Sequence, residues 1–159
     1  MLKVKIKSEA ENFQIPVKGS AEACCYDVYA SRIEYKPDGL VIVYLGFSTE
    51  IEEGYKGVLV PRSNISKIGW CIPNSPGKID SDYRGEWQAR FRPLPVIKDV
   101  SNDPEICDNR VLINDFPYKV GERVAQIYFE KETDTELHLV DETNDTERGV
   151  GGHGSTGLK

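Results

Sequence analysis

The chain contains no apolar run approaching the roughly 20 residues that cross a bilayer. Its first ten residues, MLKVKIKSEA, alternate instead of forming the apolar core of a signal peptide. Neither a membrane protein nor an exported one is expected, and the expected compartment is the cytoplasm. Histidine is scarce, with only His138 and His153, and the four cysteines, Cys24, Cys25, Cys71 and Cys107, include no CxxC pair. That leaves no spacing for a structural zinc site, so the cysteines read as reduced thiols in packing roles. Positive charge is also short. Twenty Lys and Arg stand against 26 Asp and Glu, a formal net charge of −6. Broad, nonspecific nucleic-acid binding needs a basic face and is excluded on this balance. A small anion held at a local cationic pocket, with a divalent metal, remains possible chemistry. Finally, no segment carries a sustained apolar stripe of period 3.6, so long amphipathic helices are not expected.

What is present is a series of short β-type segments. KVKIK (3–7) and much of GLVIVYLGFSTEI (39–51) alternate with period two. KGVLV (56–60), EWQARF (86–91), RVLIN (110–114), ERVAQIYFE (122–130) and ELHLV (136–140) are further strand candidates. Between them KPDG, EEGYKG and NSPG supply turn residues. SNISKIG (63–69) has room for one or two helical turns, and residues 92–119, rich in Pro and polar groups, read as an extended surface excursion. With 159 residues and no linker, one all-β domain, jelly-roll or barrel-like, is the expected architecture.

Several stretches carry candidate chemistry. IPNSPGKIDSDYRGEW (72–87) reads as a β-hairpin with an acidic corner, and such carboxylates are ordinarily solvated surface residues. VPRSNISKIG (60–69) leaves a strand and offers Arg62, the Ser63 hydroxyl and backbone N–H groups at a helical start. That is an anion site or, more plainly, a capped turn beside a surface charge. The final thirteen residues, ERGVGGHGSTGLK, hold five of the chain's 14 glycines together with Arg148, Ser155 and Thr156. This segment is either a frayed end or a strap that orders over phosphate.

In order, CCYDVYAS (24–31), PRSNISKIG (61–69), NSPGKIDSDYRGE (74–86), GERVAQIYF (121–129) and RGVGGHGSTG (148–157) resemble the five motifs of the trimeric dUTPases. The resemblance implies a distorted jelly roll assembled as a homotrimer, in which dUTP becomes dUMP and pyrophosphate at sites between subunits. It divides the chain into a β domain, 1–147, and a glycine-rich strap, 148–159, supplied by another subunit. By resemblance, Asp80 orients and deprotonates the water that attacks the α-phosphorus, and Tyr83 packs on the deoxyribose. Asn74, Gly77, Lys78 and Ile79, with the backbone of Asp80, read uracil by hydrogen bonds. A slot of that kind can reject the wrong base by factors on the order of 10⁴. Arg62, Ser63 and Asn64 cradle phosphate, Gln126 places the water or the α-phosphate, and Arg148, Gly154, Ser155 and Thr156 grip the terminal phosphates. Mg²⁺ is held chiefly by the phosphates. Asp27 reaches it through water at most, and a purely structural acceptor role for Asp27 is an equal reading.

Three positions depart from the family pattern. His153 stands where an aromatic Phe usually stacks on uracil, Asn64 stands where Gly is usual, and the 92–119 excursion lengthens the path from Asp80 to Gln126. Two other functions stay open. In a dCTP deaminase of the same fold the base is a glutamate ten residues past the matched aspartate, and Arg90 occupies that place here. A regulatory binding protein on this scaffold, switched by nucleotide and contacting a protein partner, is the second.

Overall fold

The computed structural model of the chain describes residues 1–94, 96–97, 111–112 and 115–151. Thirteen strands run in chain order: β1 Val4–Ser8, β2 Val17–Lys18, β3 Tyr26–Tyr29, β4 Arg32–Tyr35, β5 Val41–Tyr44, β6 Phe47–Ile51 and β7 Tyr55–Pro61. After a 3-10 helix, Ser63–Lys67, come β8 Trp70–Cys71, β9 Gly77–Ile79, β10 Gln88–Pro93, β11 Val96–Ile97, β12 Val111–Leu112 and β13 Arg123–Lys131. No α-helix occurs among the described residues, and none is long and apolar enough to cross a membrane. The expected all-β, jelly-roll-like class holds.

Two sheets carry most of the pairing. One has the order β2-β3-β13-β7-β9 and the other β4-β5-β10-β8, with β1 paired to β6 and β11 to β12. Both larger sheets turn their apolar residues into one cluster. Val28, Leu59, Ala125 and Ile127 come from the first, and Val43, Ala89 and Phe91 from the second, joined by Phe47 and Trp87. Trp87 is fully buried, and its indole N–H donates to Thr49 Oγ1 at 3.0 Å, satisfying the one polar atom of the ring.

Several expectations need correction. The stretch 39–51 is two strands, because the chain turns at Gly46 with φ +75°. A Cβ there would stand 2.9 Å from Ser31, so both the backbone angle and the space call for glycine. Residues 72–87 do not form a self-paired hairpin. β9 pairs with β7, through Gly57↔Ile79 and Leu59↔Gly77, while β8 pairs with β10. The Ser75–Pro76 peptide between β8 and β9 is cis. ELHLV (136–140) forms no strand, and Leu137 and Leu139 stand almost fully exposed. Its alternation is real, but none of the described residues pairs with it. The excursion expected at 92–119 begins within β10 and returns into the core, where Phe116 meets Phe91 edge-to-face and Tyr118 is 7% exposed. Residues 95, 98–110 and 113–114 lie outside the described residues, as do the flanks of the RVLIN segment.

Candidate active site

Arg62 and Asp80 stand at opposite ends of β7. At its C-terminal end, Pro61 leads into Arg62, which keeps an extended backbone (φ −73°, ψ 155°) before the 3-10 helix starts at Ser63. Ser63 is thus the first helical residue and not the cap, and it is exposed. Five residues of 3-10 helix align too few peptides for a useful dipole, so positive charge here must come from side chains.

It comes from Arg62 and from Arg123, both gathered around Asp27. Asp27 lies on β3, opposite Gln126 of β13, and Gln126 in turn lies opposite Val60 of β7. Directly opposed residues share a sheet face. Gln126 Nε2 accordingly donates to Asp27 Oδ1 at 3.0 Å. Arg123 Nη1 donates to Asp27 Oδ2 at 3.1 Å. Arg62 Nε lies 3.4 Å from Oδ1, an ion pair without hydrogen-bond alignment, which leaves this buried N–H without an acceptor. Asp27 itself is 4% exposed. Two guanidinium groups against one carboxylate give the cluster a formal excess of one positive charge. A cavity of about 540 Å³ opens beside it, lined by Tyr29, Arg62, Asn64, Tyr118, Glu122 and Arg123. Asn64 is fixed there by the Tyr118 hydroxyl, 3.2 Å from its Oδ1. Burial raises the Tyr118 hydroxyl above its ordinary range, and the Asn64 hydrogen bond opposes that rise.

Arg123 and Tyr118 were missed in the sequence. Strict alternation puts Arg123 on the face opposite Gln126. The ladder slips between Arg123 and Ala125, however, so that Arg123 pairs with Tyr29, two residues from Asp27 and on its face. A bulge re-aims a side chain in this way. The only sequence signal was two adjacent apolar residues, Val124 and Ala125, both of which prove fully buried.

Of the remaining candidates, Gly77, Lys78 and Ile79 lie within the β7–β9 ladder, and Asp80 and Tyr83 follow past its far end. Asp80 follows Ile79, which pairs with Gly57. From Gly57 to Arg62 is five residues of extended chain, roughly 17 Å at about 3.4 Å per residue. Asp80 and Asn74 are exposed, and Tyr83 is 42% exposed. The Tyr83 N–H donates to the Asp80 carbonyl at 3.2 Å, and Arg84 Nη1 ties the same corner through the Ser81 carbonyl at 2.7 Å. The Tyr83 ring folds over Gly85, where a Cβ would overlap it. Lys78 is held on the sheet face by Glu130, 2.8 Å away. Gly77 packs against Leu59 and the Asn74 amide.

The glycine-rich segment is described only at its start. There Arg148 Nε donates to the Gly151 carbonyl at 2.9 Å, a local exposed turn. His153, Gly154, Ser155 and Thr156 lie outside the described residues. No group of three or more His, Cys, Asp or Glu able to hold a metal occurs among the described residues. Asp27 spends its oxygens on Gln126 and the two arginines.

The sequence profile of the family described as dUTPase matches residues 11–91 and 111–157. The chain belongs to the dUTPase family. Relatives agree along its whole length. The deoxyuridine 5'-triphosphate nucleotidohydrolase of Nautilia profundicola is 35% identical over 98% of this chain and 99% of its own. That of Yarrowia lipolytica is 36% identical, covering 99% and 90%. Among solved structures, a Staphylococcus bacteriophage 80alpha dUTPase variant with dUpNHpp superposes with a TM-score of 0.73 at 24% identity, covering 98% and 99%. The phage phi11 dUTPase, solved to show its species-specific insert, gives 0.68 at 21%, covering 91% and 99%. At these identities the two structures establish the fold. The family profile passes over 92–110, so the unassigned part of the excursion is additional to what the family shares.

Proposed function

We propose that the chain is a dUTP diphosphatase, hydrolysing dUTP to dUMP and pyrophosphate in a site shared between the subunits of a homotrimer. The observation that carries the shared site is the separation along β7. A general base works within hydrogen-bond reach of its water, about 3 Å. Asp80 therefore cannot serve phosphates cradled some five residues away at Arg62 of the same chain. The hairpin residues of one chain, completed by the cradle of a neighbour, remove the conflict. The unpaired ELHLV segment supports the same assembly, since an alternating apolar segment exposed in one chain is suited to an edge on another.

In this reading Asn74 and the Gly77–Asp80 backbone hold the uracil, and Tyr83 lies on the sugar. Asp80 takes a proton from a water placed with help from Gln126. The water oxygen bonds to the α-phosphorus as the bond to the bridging oxygen breaks, and pyrophosphate leaves. Arg62 and Arg123 neutralise charge developing on the phosphates. When bound with the triphosphate, Mg²⁺ would add to the charge neutralisation that Arg62 and Arg123 provide. Ser63 and Asn64 complete the cradle. Arg148, Ser155, Thr156 and Gly154 close over the terminal phosphates, with His153 stacked on the base. Arg90 is exposed on β10, beside Gln88, and gives the deaminase alternative no carboxylate.

The test is complementation. Asp80→Asn and Arg62→Ala proteins are each expected to be nearly inactive with dUTP and Mg²⁺. Mixed, unfolded and refolded together, they should regain pyrophosphate release, because some sites then combine an intact hairpin with an intact cradle. No recovery in demonstrably mixed trimers would rule out the shared site. Ammonia released from dCTP would establish the deaminase instead.

A further inference from the structure

Cys24 and Cys25 play no part in the chemistry above. In extended chain, consecutive side chains point to opposite faces, so adjacency alone keeps two sulfurs apart. Here the chain bends at these two residues as it enters β3, and their Sγ atoms lie 3.5 Å apart. Cys24 is exposed and Cys25 half-buried. Cys24 also borders an open cavity of about 470 Å³ lined by Leu2, Ile15, Tyr26 and Phe129, room enough for a small thiol reagent. The next residues are held on both edges. Tyr26 pairs with Lys18 and Ile127, and Asp27 pairs with Val17 and Gln126.

We propose that Cys24 and Cys25 form a vicinal dithiol site that closes reversibly to a disulfide with low-molecular-weight disulfides, and that closure displaces Asp27 from its two arginines. The Cys24 thiolate attacks one sulfur of oxidised glutathione and expels one glutathione. Cys25 then attacks Cys24 Sγ of the mixed disulfide and expels the second. One S–S bond breaks, one forms, and the two thiol hydrogens end on two glutathione molecules. Adjacent Cα atoms stand about 3.8 Å apart, shorter than the usual disulfide range of about 4.4–6.8 Å. The closed ring is therefore of the easily reduced kind that acts as a switch. Rearranging a bend directly before Tyr26 pulls on a strand whose register is fixed on both sides. The effect on turnover rests on reading the Asp27 cluster as the phosphate cradle, whereas formation of the bond does not.

Two probes applied to the full chain test this. With oxidised glutathione, intact mass should fall by two hydrogens, the change should map to the peptide holding Cys24 and Cys25, and dithiothreitol should reverse it. Phenylarsine oxide, which loses its oxygen as water when two thiols bridge the arsenic, should bind once at this peptide. Binding should vanish in Cys24→Ser and in Cys25→Ser and persist in Cys71→Ser. Oxidised protein should lose dUTP turnover severalfold, and a Cys24→Ser/Cys25→Ser double variant should be immune. A glutathione adduct that stays on Cys24 without resolving would overturn the proposal, as would arsenical bound equally by Cys24→Ser. Disulfide formation with unchanged turnover would overturn the link to Asp27. Turnover by the reduced protein reports separately on the dUTP reading.

Discussion

The two ends of β7 differ in how their proposed site residues are held. At the Arg62 end, a buried carboxylate, two guanidinium groups and an amide fix one another, and Tyr118 fixes Asn64. At the Asp80 end, the functional side chains stand in solvent on a corner stapled mainly through backbone carbonyls. A cluster of like-charged arginines has to be pre-assembled around a counter-charge, because its repulsion would otherwise oppose folding. A base-reading corner needs only a defined backbone, and its exposed face is what a neighbouring subunit can cover. The difference predicts that lesions at the Asp80 end affect turnover and leave stability alone, whereas lesions at the Arg62 end affect both.

The largest effect is expected from Asp80→Asn. It removes a basic carboxylate at constant size, so kcat should fall on the order of 10²–10⁴-fold while nucleotide binding and Tm are kept. Retention of more than about a tenth of wild-type kcat would discard Asp80 as the base and leave Asp82 as the next suspect. Next in size is deletion of residues 148–159. Pyrophosphate assays should show kcat/KM lower by roughly 10²-fold, the scale of lost preorganised charge stabilisation. The proposed trimer should stay intact by light scattering, and a monomer would count against the strap reading.

Asp27→Asn probes the other end. The amide oxygen can still accept from Gln126, but both arginines lose their counter-charge. Stability should fall by about 1–3 kcal/mol, and KM should rise more than kcat falls. An unchanged Tm would mean that the cluster does not brace the cradle. Gly57→Ala tests the strand between the two ends, because the added Cβ would overlap the buried Trp87 indole. Overpacking of this kind costs about 1–3 kcal/mol, measurable by urea unfolding, and a neutral substitution would show that Trp87 can give way.

The smallest effect concerns acid. Glu9 is held below the ordinary carboxylate range first by Ser48 and then by Lys7, Glu34 by Lys36 and Tyr44, and Glu130 by Lys78. A carboxyl depressed in the folded state contributes stability above its unfolded pKa of 4.5 and loses it as pH falls through the folded value. Thermal stability should therefore be flat from neutral pH to about 5 and decline modestly below that, since these groups lie at the surface, part-exposed and screened. A decline beginning above pH 6 would need another group.

Strand-forming segments were legible in β1, β7 and β13, whereas the four-residue strands β3 and β4, too short to show a pattern, were not read from the sequence. ELHLV shows the limit, because period two tells that a segment can pair and says nothing of where its partner is. Gly46 likewise looked like part of a continuous strand, since only the position of Ser31 across the fold makes it a turn. Asp80, Tyr83, Arg62 and Gln126 could be named from motif order, because side-chain chemistry at a fixed local spacing is written in the sequence. Arg123 could not, because a one-residue slip in the ladder reverses which face it occupies. The sequence by itself determined the all-β character, the family and the chemical groups present, since these depend on residue type and short-range spacing. Only the tertiary structure decided that Arg62 and Arg123 share Asp27, that β9 pairs with β7 instead of β8, and that Arg62 and Asp80 lie toward opposite ends of one strand. Those outcomes depend on which strands become neighbours and in what register, and both are set by burial of a common core between residues far apart in the chain.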